Sequence, residues 1–122
     1  MWIVRFEEEF EREFLALRQD VQDNLLAAAR LLADYGPQLG RPYADTLKGS
    51  KHPNMKELRF EGVDGPWRAA FAFDPLREAI LLVAANKSGM GKSRFYRQLI
   101  AKADKRYTAH LARLKKGFMN RG

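Results

Sequence analysis

Between residues 55 and 86 the chain carries three strand-like segments separated by nothing longer than a turn. Met55–Glu61 alternates, with Leu58 and Phe60 on one face and Glu57 and Arg59 on the other. Trp67–Asp74 alternates again: Trp67, Ala69, Phe71 and Phe73 turn inward, and Arg68, Ala70 and Ala72 turn outward. A period of two residues is what a strand with one face on a core requires. Gly62-Val63-Asp64-Gly65-Pro66 reads as a hairpin loop, and Asp74-Pro75 opens a second turn. Ala79–Asn86 is a continuous apolar run closed by a single polar residue, the pattern of a central strand buried on both faces.

Helical periodicity flanks these strands on both sides. Trp2-Ile3-Val4-Arg5-Phe6 reads as a short first strand, after which Phe6, Phe10, Phe14 and Leu17 recur at helical spacing. A second helix is predicted from Asp20 to Tyr35, with Leu25, Leu26, Ala29, Leu32 and Ala33 as its buried stripe, stopped by Gly36-Pro37. The two helices form an αα-hairpin. Residues 36–54 are mostly loop, with Gly36, Pro37, Gly40, Pro42, Gly49 and Pro53, and carry a short strand near Thr46-Leu47-Lys48. The last helix follows Gly89-Met90-Gly91-Lys92, with Ser93 as its N-cap and Gly117 as its stop. Phe95, Leu99, Ile100, Ala103, Tyr107, Leu111 and Leu114 make its apolar stripe. The order β-α-α-β-β-β-β-α predicts an α+β domain, an αα-hairpin on a small, mainly antiparallel sheet with a C-terminal helix. A chain of 122 residues suits one domain, here residues 1–117, with 118–122 as a tail.

Composition removes several function classes. There is no cysteine, so disulfides, thiolate metal sites and thiol nucleophiles are excluded. No apolar run reaches the roughly 20 residues of a membrane span, and the first residues do not resemble a secretion signal. A cytoplasmic location fits. The net charge of +7 is unevenly spread: residues 1–36 hold eight acids and four bases, so the remainder carries +11. From Lys87 onward there are eleven bases and one acid, Asp104. Such polarity suits a polyanionic partner on one side.

The hairpin focuses this charge. If Phe60 and Trp67 face the core opposite each other, the register pairs Arg59 directly with Arg68. Like charges in that position destabilise a strand pair unless an anion accompanies them. Glu57, diagonal on the same face, is one such anion; a bound phosphate is the other, matching guanidinium geometry. Lys87 follows the central strand. Gly91-Lys92-Ser93 has the flavour of a phosphate loop, but five residues upstream stands Asn86 rather than glycine, so a nucleotide-triphosphate site is not supported. The segment still offers a helix N-terminus beside Lys87, Lys92 and Arg94. Tyr107 falls in the apolar stripe, whereas Tyr96 stands one step off it and could present its ring or hydroxyl to a base or phosphate. His110 sits at the stripe's edge and His52 in a loop; a lone histidine in such a place is more often packed or solvent-facing than catalytic. Their separation does not suggest a metal site.

Five segments together resemble a known family: Gly36-Pro-Gln-Leu-Gly-Arg-Pro-Tyr43, Asp45-Thr-Leu-Lys-Gly-Ser50, Met55-Lys-Glu-Leu-Arg-Phe60, Trp67-Arg-Ala-Ala-Phe-Ala-Phe-Asp74 and the Phe95-Tyr96 helix. The resemblance is to the phage-derived Gp49-like, HigB-like branch of the RelE/ParE toxin superfamily, and runs from about Ile3 to Leu114. It implies a RelE-like single domain, a cognate helix-turn-helix antitoxin, and cleavage of mRNA, commonly on the ribosome, without metal or other cofactor. It implies attack by the substrate's 2′-hydroxyl on the adjacent phosphate, with Arg59, Arg68 and Lys87 as catalytic residues. Lys56, Lys92, Arg94 and Tyr96 are then substrate-binding, and Glu57 and His110 are candidates for acid or base. Relatives often read Gly-Asp-Lys where this chain has Ala85-Asn86-Lys87. Two other readings stand beside it: a ParE-like topoisomerase poison without chemistry, and a non-toxic, phage-derived nucleic-acid-binding protein.

Overall fold

A computed structural model describes the backbone of residues 1–121 and side chains through Phe118. The elements are β1 (Val4–Phe6), α1 (Glu8–Leu15), α2 (Gln19–Tyr35), a 3-10 turn (Gly36–Gln38), β2 (Ala44–Thr46), β3 (Lys56–Gly62), β4 (Gly65–Phe73), β5 (Ala79–Asn86) and α3 (Lys92–Arg121). The five strands form one sheet in the order β1-β5-β4-β3-β2. Only the β1–β5 pair is parallel. The expected α+β architecture is present, and so is the β3–β4 register: Phe60 opposite Trp67, Leu58 opposite Ala69, Arg59 opposite Arg68.

Two cores lie on the two faces of the sheet. On one, Phe10, Phe14, Val21, Leu25 and Leu32 of α1 and α2 pack on Leu58, Phe60, Trp67, Ala69, Phe71 and Leu81. On the other, Phe95, Leu99, Ala103 and Tyr107 of α3 pack on Ala70, Ala72, Ile80, Leu82 and Val83. Ala70 and Ala72 are therefore not outward-facing, as their alternation suggests, but fully buried under α3. Their methyl side chains let the helix approach the sheet closely.

Several local expectations shift by a residue or more. The buried row of α2 is Val21, Leu25, Ala28 and Leu32, whereas Leu26 is 47% exposed. The stripe is thus rotated by about one position, and the charge-rich face turns to water. The short strand expected near 46–48 lies at Ala44–Thr46. Helix α3 begins at Lys92, where the Phe95 N–H returns to the Gly91 carbonyl, so Ser93 lies inside the first turn rather than at the cap. The helix also continues past Gly117 to Arg121. A glycine within a helix costs about 1 kcal/mol, but it ends one only where the backbone turns left-handed, and Gly117 keeps a negative φ. Gly122 lies outside the described residues.

A bulge in β5 matters most for the site. Ala70 pairs with Val83 while Phe71 pairs with Leu81, leaving Leu82 as an extra residue. Two consecutive residues, Leu82 and Val83, then face α3, and side-chain parity reverses beyond them. Ala85 faces α3 beside Arg68, and so does Lys87.

Candidate functional site

The site forms where the α3 face of β3 and β4 runs out from under the helix. Arg59 and Arg68 are direct cross-strand neighbours there. Their shared anion is Glu57, two residues before Arg59 on the same face, with its side chain 5% exposed. Its Oε1 lies 3.3 Å from Arg68 Nε, and its Oε2 lies 3.5 Å from Arg59 Nη2. The Arg68 contact is within ion-pair distance, but the Nε–H is out of line for a hydrogen bond; both Arg59 Nε and Arg68 Nε are buried donors with no hydrogen-bond partner. Arg59 also reaches Asp45 of β2 at 3.4 Å, and Arg68 Nη1 donates to the Trp67 carbonyl at 3.0 Å.

Helix α3 closes one side of this cluster. Tyr96, in its second turn, donates its hydroxyl to Glu57 Oε1 at 2.8 Å. Burial, and then the bond to Glu57, push the Tyr96 phenol above its ordinary value, so it stays protonated at neutral pH. Lys87 leaves β5 on the same face, with Nζ 5.6 Å from the centre of the Tyr96 ring, within cation–π range. Burial holds the Lys87 amine below its ordinary value, and the neighbouring charges of Arg68 and Lys92 add to this. Three cations thus surround one buried carboxylate. The excess of positive charge suits an anionic ligand and is the wrong donor set for a metal cation.

The other sequence candidates are placed less uniformly. Lys92, the exposed first residue of α3, is near enough to influence Lys87. Arg94 is exposed and stands roughly 200° around the helix from both Lys92 and Tyr96, so it points away from the cluster. Lys56 has the parity of Leu58 and Phe60, hence the opposite face of the sheet, and its Nζ donates to the Pro37 carbonyl at 3.3 Å. His110 is not brought to the cluster either: its Nε2 lies 2.9 Å from Asp74 Oδ2, just past the far end of β4. Six residues of strand separate Asp74 from Arg68, on the order of 20 Å. His52 contacts the Thr108 hydroxyl at 2.9 Å and packs edge-on against Tyr107, again away from the arginines.

One contributor escaped the sequence reading. Asp45 pairs across β2–β3 with Glu57, and is shared between Arg41 and Arg59. The Arg41-x-x-x-Asp45 spacing was the available signal, but it sits in a loop-like segment whose register a sequence does not define.

Comparison with known proteins identifies the family to which the chain belongs. The family model described as phage-derived protein Gp49-like (DUF891) matches residues 12–108, which include the whole cluster. Two proteins of Mycobacterium tuberculosis (strain ATCC 25618 / H37Rv) are similar. One, named "Putative toxin HigB2", is 44% identical over 98 residues, 79% of this chain. The chain spans 48% of that protein's length. The other, named "Putative toxin HigB3", is 45% identical over 102 residues, 84% of this chain and 87% of its own length. With a match that runs from the first helix into the last, this chain belongs to the phage-derived, Gp49-like family.

Proposed function

We propose that the chain is the toxin of a type II toxin–antitoxin pair and cleaves mRNA at the Arg59–Arg68 cluster. The observation that carries this reading is the cross-strand arginine pair, open to solvent on one side and backed by a single buried carboxylate. The names of the two mycobacterial relatives support the toxin assignment.

The chemistry follows from the charges. The 2′-oxygen of a ribose attacks the adjacent phosphorus, and the bond from phosphorus to the 5′-oxygen breaks. The products are a 2′,3′-cyclic phosphate and a free 5′-hydroxyl. Negative charge builds on the non-bridging oxygens, where Arg59 and Arg68 stabilise it without having to reorganise. Lys87, with its lowered affinity for protons, gives one to the departing 5′-oxygen. The 2′-hydroxyl proton passes to the Tyr96 oxygen as Tyr96 hands its own to Glu57. Lys92 holds a flanking phosphate. This reading assigns no step to Lys56, Arg94 or His110. The partners of this reading are mRNA, in the setting of the ribosome, and a helix-turn-helix antitoxin; the compartment is the cytoplasm.

The decisive experiment is induced expression of wild type and Arg68→Ala. Wild type should arrest growth and leave mRNA fragments ending in cyclic phosphate; Arg68→Ala should restore growth while remaining folded by circular dichroism. Arrest with intact mRNA and damaged DNA would replace this reading with a topoisomerase poison. Harmless wild-type expression would remove the toxin assignment.

A further inference from the structure

We propose that a second site lies on the open edge of β5 and takes an acidic, extended segment of a partner protein as an added strand. β1 covers only part of that edge. It pairs with Ala79, Ile80 and Leu81, and the Glu7 N–H closes on the Leu81 carbonyl before the chain turns into α1. Beyond this point β5 has a strand on one side only. The Lys87 N–H donates to the Pro66 carbonyl, so in the antiparallel ladder the backbone groups of Val83 and Ala85 also point towards β4. Those of Ala84 and Asn86 therefore point outward. Of the outward groups, the Leu82 carbonyl is taken by Arg106 Nη1 at 2.8 Å. The N–H and C=O of Ala84 and Asn86 face a cleft of about 640 Å³ between α1 and α3.

The cleft has the shape and chemistry of a strand lane. Leu82 to Asn86 runs about 16 Å, room for four or five extended residues. Ala84, Ala85 and Met90 supply an apolar wall for alternate side chains, with Val83, Phe95 and Leu99 buried behind it. Its charge selects an acidic occupant. Glu9 and Glu13 on the α1 rim are both committed to Arg106. Lys102 and Lys105 on the α3 rim have no carboxylate within ion-pair distance among the described residues. Main-chain bonds to an exposed sheet edge supply affinity in this mode of recognition, and side-chain alternation supplies choice. The lane ends at Asn86, one residue short of Lys87, so its occupant would abut the cluster without filling it.

The test uses the full chain, isotopically labelled, and a blocked hexapeptide of alternating glutamate and valine. Hydrogen exchange at the Ala84 and Asn86 amides should be fast in the free protein and slow at least tenfold with the peptide. N-methylation of alternate peptide amides should abolish the effect, and a lysine–valine analogue should not produce it. Lys102→Glu with Lys105→Glu should weaken binding at least tenfold. Arg68→Ala should leave binding unchanged, which separates this site from the nuclease reading. No protection by the acidic peptide, or equal binding of the N-methylated one, would overturn the proposal. So would protection of the same amides by protein concentration alone, which means a second copy, or by a single-stranded oligoribonucleotide.

Discussion

The hydroxyl of Tyr96 donates to Oε1 of Glu57 across 2.8 Å, joining the second turn of α3 to the floor of β3. The same carboxylate faces Arg68 and Arg59, so one bond from the helix fixes the spacing of two guanidiniums. Tyr96→Phe keeps the ring that Lys87 approaches and removes the hydroxyl, with its bond to Glu57 and its interaction with Arg68. The folded state should lose about 1 kcal/mol, the net worth of a hydrogen bond. Cleavage should fall roughly a hundredfold, the low end of what a proton-transfer group contributes. Urea unfolding and single-turnover cleavage of a model RNA measure the two effects separately. A stability loss with unchanged cleavage would leave Tyr96 as a strut and remove the proton relay.

Lys87 gives a pH signature. Its charged form is disfavoured, first by burial and then by Arg68 and Lys92. A donor of this kind works while protonated and fails as pH rises through its lowered value. The alkaline limb of the cleavage profile should therefore fall below the ordinary lysine value near 10.4. Lys87→Arg should lose that limb, because guanidinium stays charged throughout, and should be slower at every pH, because it parts with its proton poorly. Profiles of single-turnover rate from pH 6 to 10 check both points.

The hairpin tip predicts an acidic effect with the opposite sign. Asp64 accepts from Arg18 and from Trp67 Nε1, which hold its carboxyl well below the usual range. Asp20 is lowered to about 2, by Arg18 first and then by the Val63 N–H. A carboxyl with a depressed folded value stabilises the fold above its unfolded value near 4, and loses that contribution as pH falls through the folded value. The stability gap between wild type and Asp64→Asn should be full at neutral pH and shrink from about pH 4 downward. Since these groups face water, the gap should also narrow in 1 M salt. Thermal unfolding at pH 2 to 7 gives the comparison.

How far the site could be read from the sequence depended on whether side-chain parity stayed intact. Alternation along β3 and β4 runs without interruption, so the facing of Arg59, Arg68 and Glu57 followed from counting residues. The same counting puts Lys56, which only the family resemblance points to, on the other face, where it donates to the Pro37 carbonyl. Lys87 is the reverse case. Continued from Leu81, strict alternation would place it with α1 and α2, and only the extra residue Leu82 turns it towards Arg68. A bulge inside an apolar run of Ile, Leu and Val leaves no mark in composition. Nor does alanine at 70 and 72 say whether water or a helix lies above it, because its methyl group suits both.

His110 supplies a prediction in which folding and function separate. Its Nε2 meets Asp74 Oδ2, while Asp74 Oδ1 accepts the backbone N–H groups of Leu76 and Glu78. The Asp74 side chain is 1% exposed and therefore depends on these partners. This network organises the turn between β4 and β5, where Arg77 adopts a left-handed φ of 63°. His110→Ala leaves one oxygen of a buried carboxylate without its partner, at a cost of about 1–3 kcal/mol. The variant should unfold at correspondingly lower urea, yet at low temperature cleave within about twofold of wild type, since it lies on the order of 20 Å from Arg68. If its rate instead fell a hundredfold with the fold intact, the chemistry would have to be moved to the other end of the sheet.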